Sequence, residues 1–149
     1  MPSSSSRVDL HLHTIASDGS ETAETLVETA RELELAAIAI TDHDSIGSVK
    51  DGLAEGAEHG VEVIPGVEIG IAHDPERHLV EIDILGYFVD PDFAELGGVL
   101  ERLQEAKNGK LAKQVRVLEE NDLPIDASEV LEIAGGDTVR RPHIWKVLH

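Results

Sequence analysis

Residues 8–13, Val8-Asp9-Leu10-His11-Leu12-His13, alternate apolar and polar side chains with a period of two. That alternation predicts a strand, with Val8, Leu10 and Leu12 on one face and Asp9, His11 and His13 on the other. Asp18-Gly19-Ser20 follows as a turn. A helix is expected over Thr22–Leu35, with Glu21 and Glu24 near its positive end and Leu26, Ala30 and Leu33 as an i, i+4, i+7 apolar stripe. The run Ala36-Ala37-Ile38-Ala39-Ile40 is apolar throughout, which suits a buried parallel strand, and it ends in the polar Thr41-Asp42-His43-Asp44.

Outward from this unit, a weaker helix is expected over about Val49–His59, interrupted by Gly52 and Gly56. Val61-Glu62-Val63-Ile64 reads as a third strand, broken by Pro65-Gly66 just before Val67-Glu68-Ile69, and Leu79–Phe88 as a fourth. Such a series of strands and helices implies a parallel sheet or barrel. The remainder changes character. Pro91–Glu120 carries Phe93, Leu96, Leu100 and Leu103 at helical spacing and reads as one long helix or two, weak at Gly97-Gly98 and Asn108-Gly109. Asp126–Ala134 is a short helix with a capping box at Asp126 and Glu129 and a stop at Gly135-Gly136; Arg140-Arg141-Pro142-His143 opens another. The expected organisation is a disordered lead-in over 1–7, a β/α part over 8–90, and over 91–149 a helical insertion with the start of a further barrel segment.

The chain has 149 residues, which fits one domain. Only 3% of residues are aromatic, so aliphatic side chains must supply the core. There is no cysteine, so disulfides and thiolate metal sites are excluded, and a metal would be held by histidine and carboxylate. No apolar run approaches the ~18 residues of a membrane span. The N-terminus lacks a signal-like apolar stretch, and a cytoplasmic location is the expectation. Thirty acidic residues against 12 basic give a net charge of −18. This argues against coating long duplex nucleic acid, which needs a basic stripe, but not against a small phosphorylated substrate held by cations. The acidity reads as a solvated surface, and a salt-loving source would also produce it. No Gly-x-x-x-x-Gly-Lys phosphate loop is present.

Two histidines at i and i+2 on a strand point the same way, with Cβ atoms roughly 6–7 Å apart, so both imidazoles can reach one ion. Asp18 follows on the turn, His43 lies at the C-terminal end of the second strand, Glu68 just past Pro65-Gly66, and Asp83 in the fourth strand. Parallel α/β architectures build their sites at this strand edge, and each candidate falls at or near it. Taken singly, Asp18 is also an ordinary turn residue, His43 a hydrogen-bonded surface histidine and Glu68 a solvated glutamate. Asp83, on an otherwise apolar strand, reads as a buried carboxylate in need of a partner, and a cation would serve. Asp9, Asp42 and Asp44 are candidates for orienting the histidines from behind, and equally for plain loop or strand-end hydrogen bonding. His59, His73, His78 and His149 are assigned to surface or loops.

Asp9-Leu10-His11-Leu12-His13-Thr14, Ser17-Asp18-Gly19, Ile40-Thr41-Asp42-His43-Asp44 and Pro65-Gly66-Val67-Glu68-Ile69 together resemble the PHP (polymerase and histidinol phosphatase) family. The branch they resemble is that of small nucleotide phosphoesterases, which includes 3′,5′-nucleoside bisphosphate phosphatases and a 5′-to-3′ exoribonuclease of short RNAs. The resemblance implies a partial distorted (β/α)7 barrel with a helical insertion after the fourth strand. It implies two or three divalent ions (manganese, zinc or iron, with magnesium also admissible) on His11, His13, Asp18, His43 and Glu68, with Glu68 bridging two of them. Arg141 and His143, within Arg141-Pro142-His143-Ile144, are implied as contacts to the substrate phosphate. The implied reaction is hydrolysis of phosphate esters of small nucleotides or short oligonucleotides by a metal-activated water, without a covalent nucleophile.

Two departures stand out. Where the family has a histidine, this strand has Asp83, a harder ligand that favours manganese or magnesium over zinc. The family also continues to a later histidine and an Asp-x-His pair, which these 149 residues do not reach. The alternative expectation is therefore a truncated, catalytically incomplete metal-binding domain with a structural or partner-dependent role, or a fragment of a longer product. An open sheet edge after the fourth strand predicts self-association there.

Overall fold

The computed structural model describes residues 7–71, 82–134, 139 and 141–148. Of the lead-in expected over 1–7, Arg7 begins the first strand and the rest lies outside the described residues. Strand β1 (Arg7–Leu12), helix α1 (Ala23–Glu32), strand β2 (Leu35–Ile40), helix α2 (Val49–His59) and strand β3 (Glu62–Ile71) alternate along the chain, followed by strand β4 (Ile82–Tyr87). The sheet order is β1-β2-β3-β4. β1, β2 and β3 are parallel, whereas β4 runs antiparallel to β3. This corrects the parallel series expected from the strand–helix alternation. Only residues 72–81 separate β3 from β4, fewer than the dozen or more that a parallel crossover requires.

Helix α1 starts at Thr22, whose hydroxyl accepts from the Thr25 amide at 3.2 Å. Its buried face is Ala23, Val27 and Ala30, packed on Ile38, Ile40, Val61 and Val63. Burial of an aliphatic side chain such as Val27 contributes about 1.5–3 kcal/mol. Of the expected stripe, Ala30 is buried and Leu26 packs against this core, whereas Leu33 is 52% exposed. The helix ends at Glu32, and Glu34 turns the chain with a φ of 54° straight into β2, so Leu33 never joins a continuing helical face. In α2, Gly52 and Gly56 are buried rather than merely helix-weakening. A Cβ at Gly52 would lie 2.3 Å from Ile40 Cδ1, and one at Gly56 2.7 Å from the Val61 carbonyl oxygen. Their bareness lets α2 lie directly on the sheet.

Pro65-Gly66 does not break β3 as expected. Pairing with β2 runs through Ile40↔Pro65, and pairing with β4 begins at Gly66↔Tyr87. The missing proline N–H therefore falls where the strand changes its main partner. Gly66 is the point of closest approach: an added Cβ would meet Thr41 Cγ2 at 2.7 Å, the Ile40 carbonyl oxygen at 3.0 Å and the Gly86 carbonyl oxygen at 3.1 Å. The sheet curls into a half-barrel, and the Tyr87 hydroxyl at the end of β4 donates to the Leu10 carbonyl of β1 at 2.8 Å.

The helical part comprises α3 (Ala94–Asn108), α4 (Leu111–Glu119), α5 (Ala127–Ile133) and α6 (Arg141–Leu148). The long segment divides at Gly109-Lys110, while Gly97-Gly98 stays helical within α3. Asp126 caps α5 by accepting from the Ser128 amide at 2.8 Å. Leu111, Val130, Ala134 and Val139 form a second, smaller core. No helix among the described residues is long and apolar enough to cross a membrane.

Replacing Gly66 by alanine is expected to lower the unfolding free energy by about 1–3 kcal/mol through overpacking against the Thr41 side chain and two backbone carbonyls. Urea denaturation measures this, and an unchanged midpoint would contradict the close approach.

Candidate metal centre

β1 delivers His11 and, one residue past its end, His13. The chain then folds back on itself: the Ser17 and Gly19 amides both donate to the Thr14 carbonyl, at 3.1 and 2.9 Å. Gly19 is required there, because an added Cβ would sit 2.3 Å from the His13 carbonyl oxygen. This return brings Asp18 beside His13.

Asp42, at the end of β2, holds the same loop from below. It is fully buried and accepts from the Thr14 amide, the Thr14 hydroxyl and the Ser17 hydroxyl, each at 2.7 Å, and from the Ser48 hydroxyl. Its hydrogen bonds among the described residues run to these groups rather than to a histidine, so it holds the loop that follows His13. Thr14 and Ser17 stand in the motifs quoted above, but nothing in the sequence assigns them or Ser48 this role, because isolated hydroxyl residues carry no spacing signal. Asp9, on exposed β1, accepts from the His11 amide at 3.3 Å.

His43 and Glu68 are brought face to face by a parallel bridge in which the Glu68 amide donates to the Asp42 carbonyl at 3.0 Å and the Asp44 amide to the Glu68 carbonyl at 2.8 Å. Three imidazoles then meet one carboxylate oxygen. Glu68 Oε2 lies 2.9 Å from His11 Nε2, 3.1 Å from His13 Nε2 and 3.4 Å from His43 Nδ1. Asp18 closes the far side, 3.3 Å from His13 Nδ1 and 3.9 Å from His43 Nε2. Three overlapping donor sets result, each with its ligand atoms within 4.8 Å of one another: His11, His13 and Glu68; His13, Asp18 and His43; His43, Glu68 and Asp83.

The donor chemistry fits divalent cations. Bonds of about 2.0–2.2 Å in tetrahedral geometry place neighbouring ligand atoms about 3.3–3.6 Å apart, a spacing the observed contacts bracket. Glu68 is shared by two donor sets. Asp83 joins from β4 because the antiparallel strand starts at the edge where the parallel strands end. It is exposed, however, so the expected cost of a buried carboxylate does not apply to it.

His13 is held above its ordinary pKa of 6.5, first by its hydrogen bond to Asp18, then by the charges of Asp18, Glu68 and Asp42, against an opposing effect of burial. Arg141 opens α6, its side chain lying outside the described set, and His143 is buried in that helix at 2% exposure. Neither belongs to the converging donor sets. His59 pairs with Glu55 along α2 at 3.5 Å, while His73, His78 and His149 lie outside the described residues.

A curled α/β sheet with imidazoles and carboxylates gathered at one strand edge defines a metal-capable α/β domain. The chain belongs to the PHP domain family, whose profile matches residues 9–123. It is 34% identical over 142 residues to the 5′-3′ exoribonuclease Rnm of Salmonella typhimurium, covering 94% of this chain and 47% of that protein. It is 33% identical over 100 residues to the 3′,5′-nucleoside bisphosphate phosphatase of Chromobacterium violaceum, covering 67% of this chain and 34% of that one. A Bifidobacterium adolescentis crystal structure assigned as a metal-dependent phosphoesterase superposes with a TM-score of 0.83 at 32% identity, over 97% of this chain and 50% of the other. The chain thus spans about half the length, or less, of these relatives.

Asp42→Ala is expected to destabilise the chain by about 3 kcal/mol or more, since several buried donors lose a charged acceptor together. A loss below about 1 kcal/mol in urea unfolding would contradict that role. The raised pKa of His13 stabilises the metal-free fold below pH 6.5, and the contribution is lost as pH rises through the raised value. Between about pH 6 and pH 8, metal-free wild type should therefore lose more stability than His13→Gln, and equal losses would contradict the shift.

Proposed function

We propose that this chain carries the N-terminal share of a metal-dependent phosphoesterase centre acting on phosphate esters of small nucleotides or short oligonucleotides. The observation that carries the proposal is the meeting of three imidazoles at Glu68 Oε2, with Asp18 and Asp83 completing the donor sets, in a chain of the PHP family. In this reading His11, His13, Asp18, His43, Glu68 and Asp83 would hold two or three divalent cations, with Glu68, shared by two donor sets, the residue that would serve more than one of them. Asp83 biases its position toward manganese or magnesium.

Bound cations supply Lewis acidity and a source of hydroxide near neutral pH. The protein's own contribution is to fix the donors. Asp42 locks the loop bearing Asp18, and the Asp18 carboxylate steadies the His13 ring. Arg141, at the start of α6, is assigned to the substrate phosphate, which the positive end of a helix also favours; His143, buried in the same helix, takes that assignment from the family resemblance alone. Residues 8–90 form the first part of a seven-stranded barrel, and 91–149 the insertion and the start of the next segment. The likeness to Rnm and to a nucleoside bisphosphate phosphatase supports the nucleotide substrate class.

A second reading, a metal-binding but catalytically incomplete domain, is favoured by the openness of the cluster, where the His11 side chain is 48% exposed. Manganese binding and phosphate release from a 3′,5′-bisphosphonucleoside separate the two. The phosphoesterase reading expects manganese-dependent release that Glu68→Gln lowers by about a hundredfold or more. Metal bound without turnover would favour the second reading, and neither metal nor turnover would sink both.

A further inference from the structure

Asp44 follows His43 and adopts a left-handed backbone conformation, with a φ of 52°. A non-glycine residue persists there only when its surroundings hold it, although aspartate tolerates the region better than most. Its side chain is fully buried, and its carboxylate pairs through Oδ2 with Lys107 Nζ of α3. The other oxygen, Oδ1, makes no hydrogen bond among the described residues, so the lysine carries the compensation of this buried charge. Gln104, one turn earlier on the same face of α3, donates its side-chain amide to the Asp44 carbonyl at 3.1 Å. The Asp44 amide is taken by the Glu68 carbonyl at 2.8 Å. Every polar part of Asp44 except Oδ1 is therefore pinned, twice by one helix face about 60 residues further along the chain.

We infer that α3 is a positioning element for His43: Lys107 and Gln104 fix Asp44 in its left-handed turn and so aim the preceding imidazole at Glu68 and Asp18. Helix α3 then acts on the donor cluster through Asp44. Lys107 is a positioning residue, not a ligand. The placement of His43 stands independently of any bound ion; its consequence for metal affinity rests on the proposed metal centre.

The test uses Lys107→Met, Lys107→Arg and Gln104→Leu, with two readouts on the whole chain. The first is the NMR signature of the His43 ring in metal-free protein, with His59 as the internal reference. The second is the affinity for manganese by calorimetry. Lys107→Met is expected to shift the His43 resonances while leaving those of His59 in place, and to weaken manganese binding by about ten- to a hundredfold. Lys107→Arg should recover affinity to within about threefold, and Gln104→Leu should give a smaller loss of the same sign. Unchanged His43 resonances and manganese affinity, with no more than a lowered melting temperature, would overturn the inference. If Lys107→Met fails to fold, Gln104→Leu keeps the ion pair and decides the matter by the same readouts. A wild-type chain that binds no manganese would sink the proposed metal centre, and the metal-free His43 resonances would still decide the positioning.

Discussion

The contact of three imidazoles with Glu68 Oε2 constrains the whole sheet. His11 and His13 come from one strand end, His43 from the next, and Glu68 from a third strand. Productive sites hold such atoms to within about 0.5 Å, so the registers of β1, β2 and β3 cannot slip without dispersing the cluster. The small residues follow from that requirement. Gly66 admits Thr41 and two backbones at the junction of three strands, and Gly19 lets the loop fold directly onto the carbonyl of His13. The apolar seam of α1 on Ile38, Ile40 and Val63 holds the strands from the opposite face.

His43 is flanked by two buried carboxylates, and the fold satisfies them differently. Asp42 collects backbone and hydroxyl donors from the loops after β1 and β2. Asp44 takes a cation from α3, far along the chain. Either carboxylate left bare in the interior would be costly. The first ties the site to its own β/α unit, the second to helix α3. In a chain of net charge −18, a lysine placed against a buried aspartate beside a cluster of carboxylates also offsets local repulsion.

Much of this was legible in the sequence because its periods are short. Alternation over 8–13 gave β1 and aimed both histidines at one face, and the apolar run before Thr41 gave β2. The positions of Asp18, His43 and Glu68 at one strand edge follow from parallel topology. What could not be read depends on partners distant in the chain. Pro65-Gly66 looks like a break until it is known that β3 changes neighbours there. Leu33 looks like core until Glu34 is seen to turn left-handed. Asp83 looks buried until β4 proves to be a sheet edge among the described residues. The roles of Lys107 and Gln104 lie in a tertiary contact that no local pattern encodes.

Whether the atoms gathered around Glu68 form a cation centre is decided by anomalous diffraction from crystals of the chain grown with manganese. A cation centre gives an anomalous peak about 2.0–2.3 Å from Glu68 Oε2 and from at least one imidazole nitrogen of His11, His13 or His43. Ordered protein with full density for these side chains and no anomalous peak among them, at saturating manganese, would contradict it.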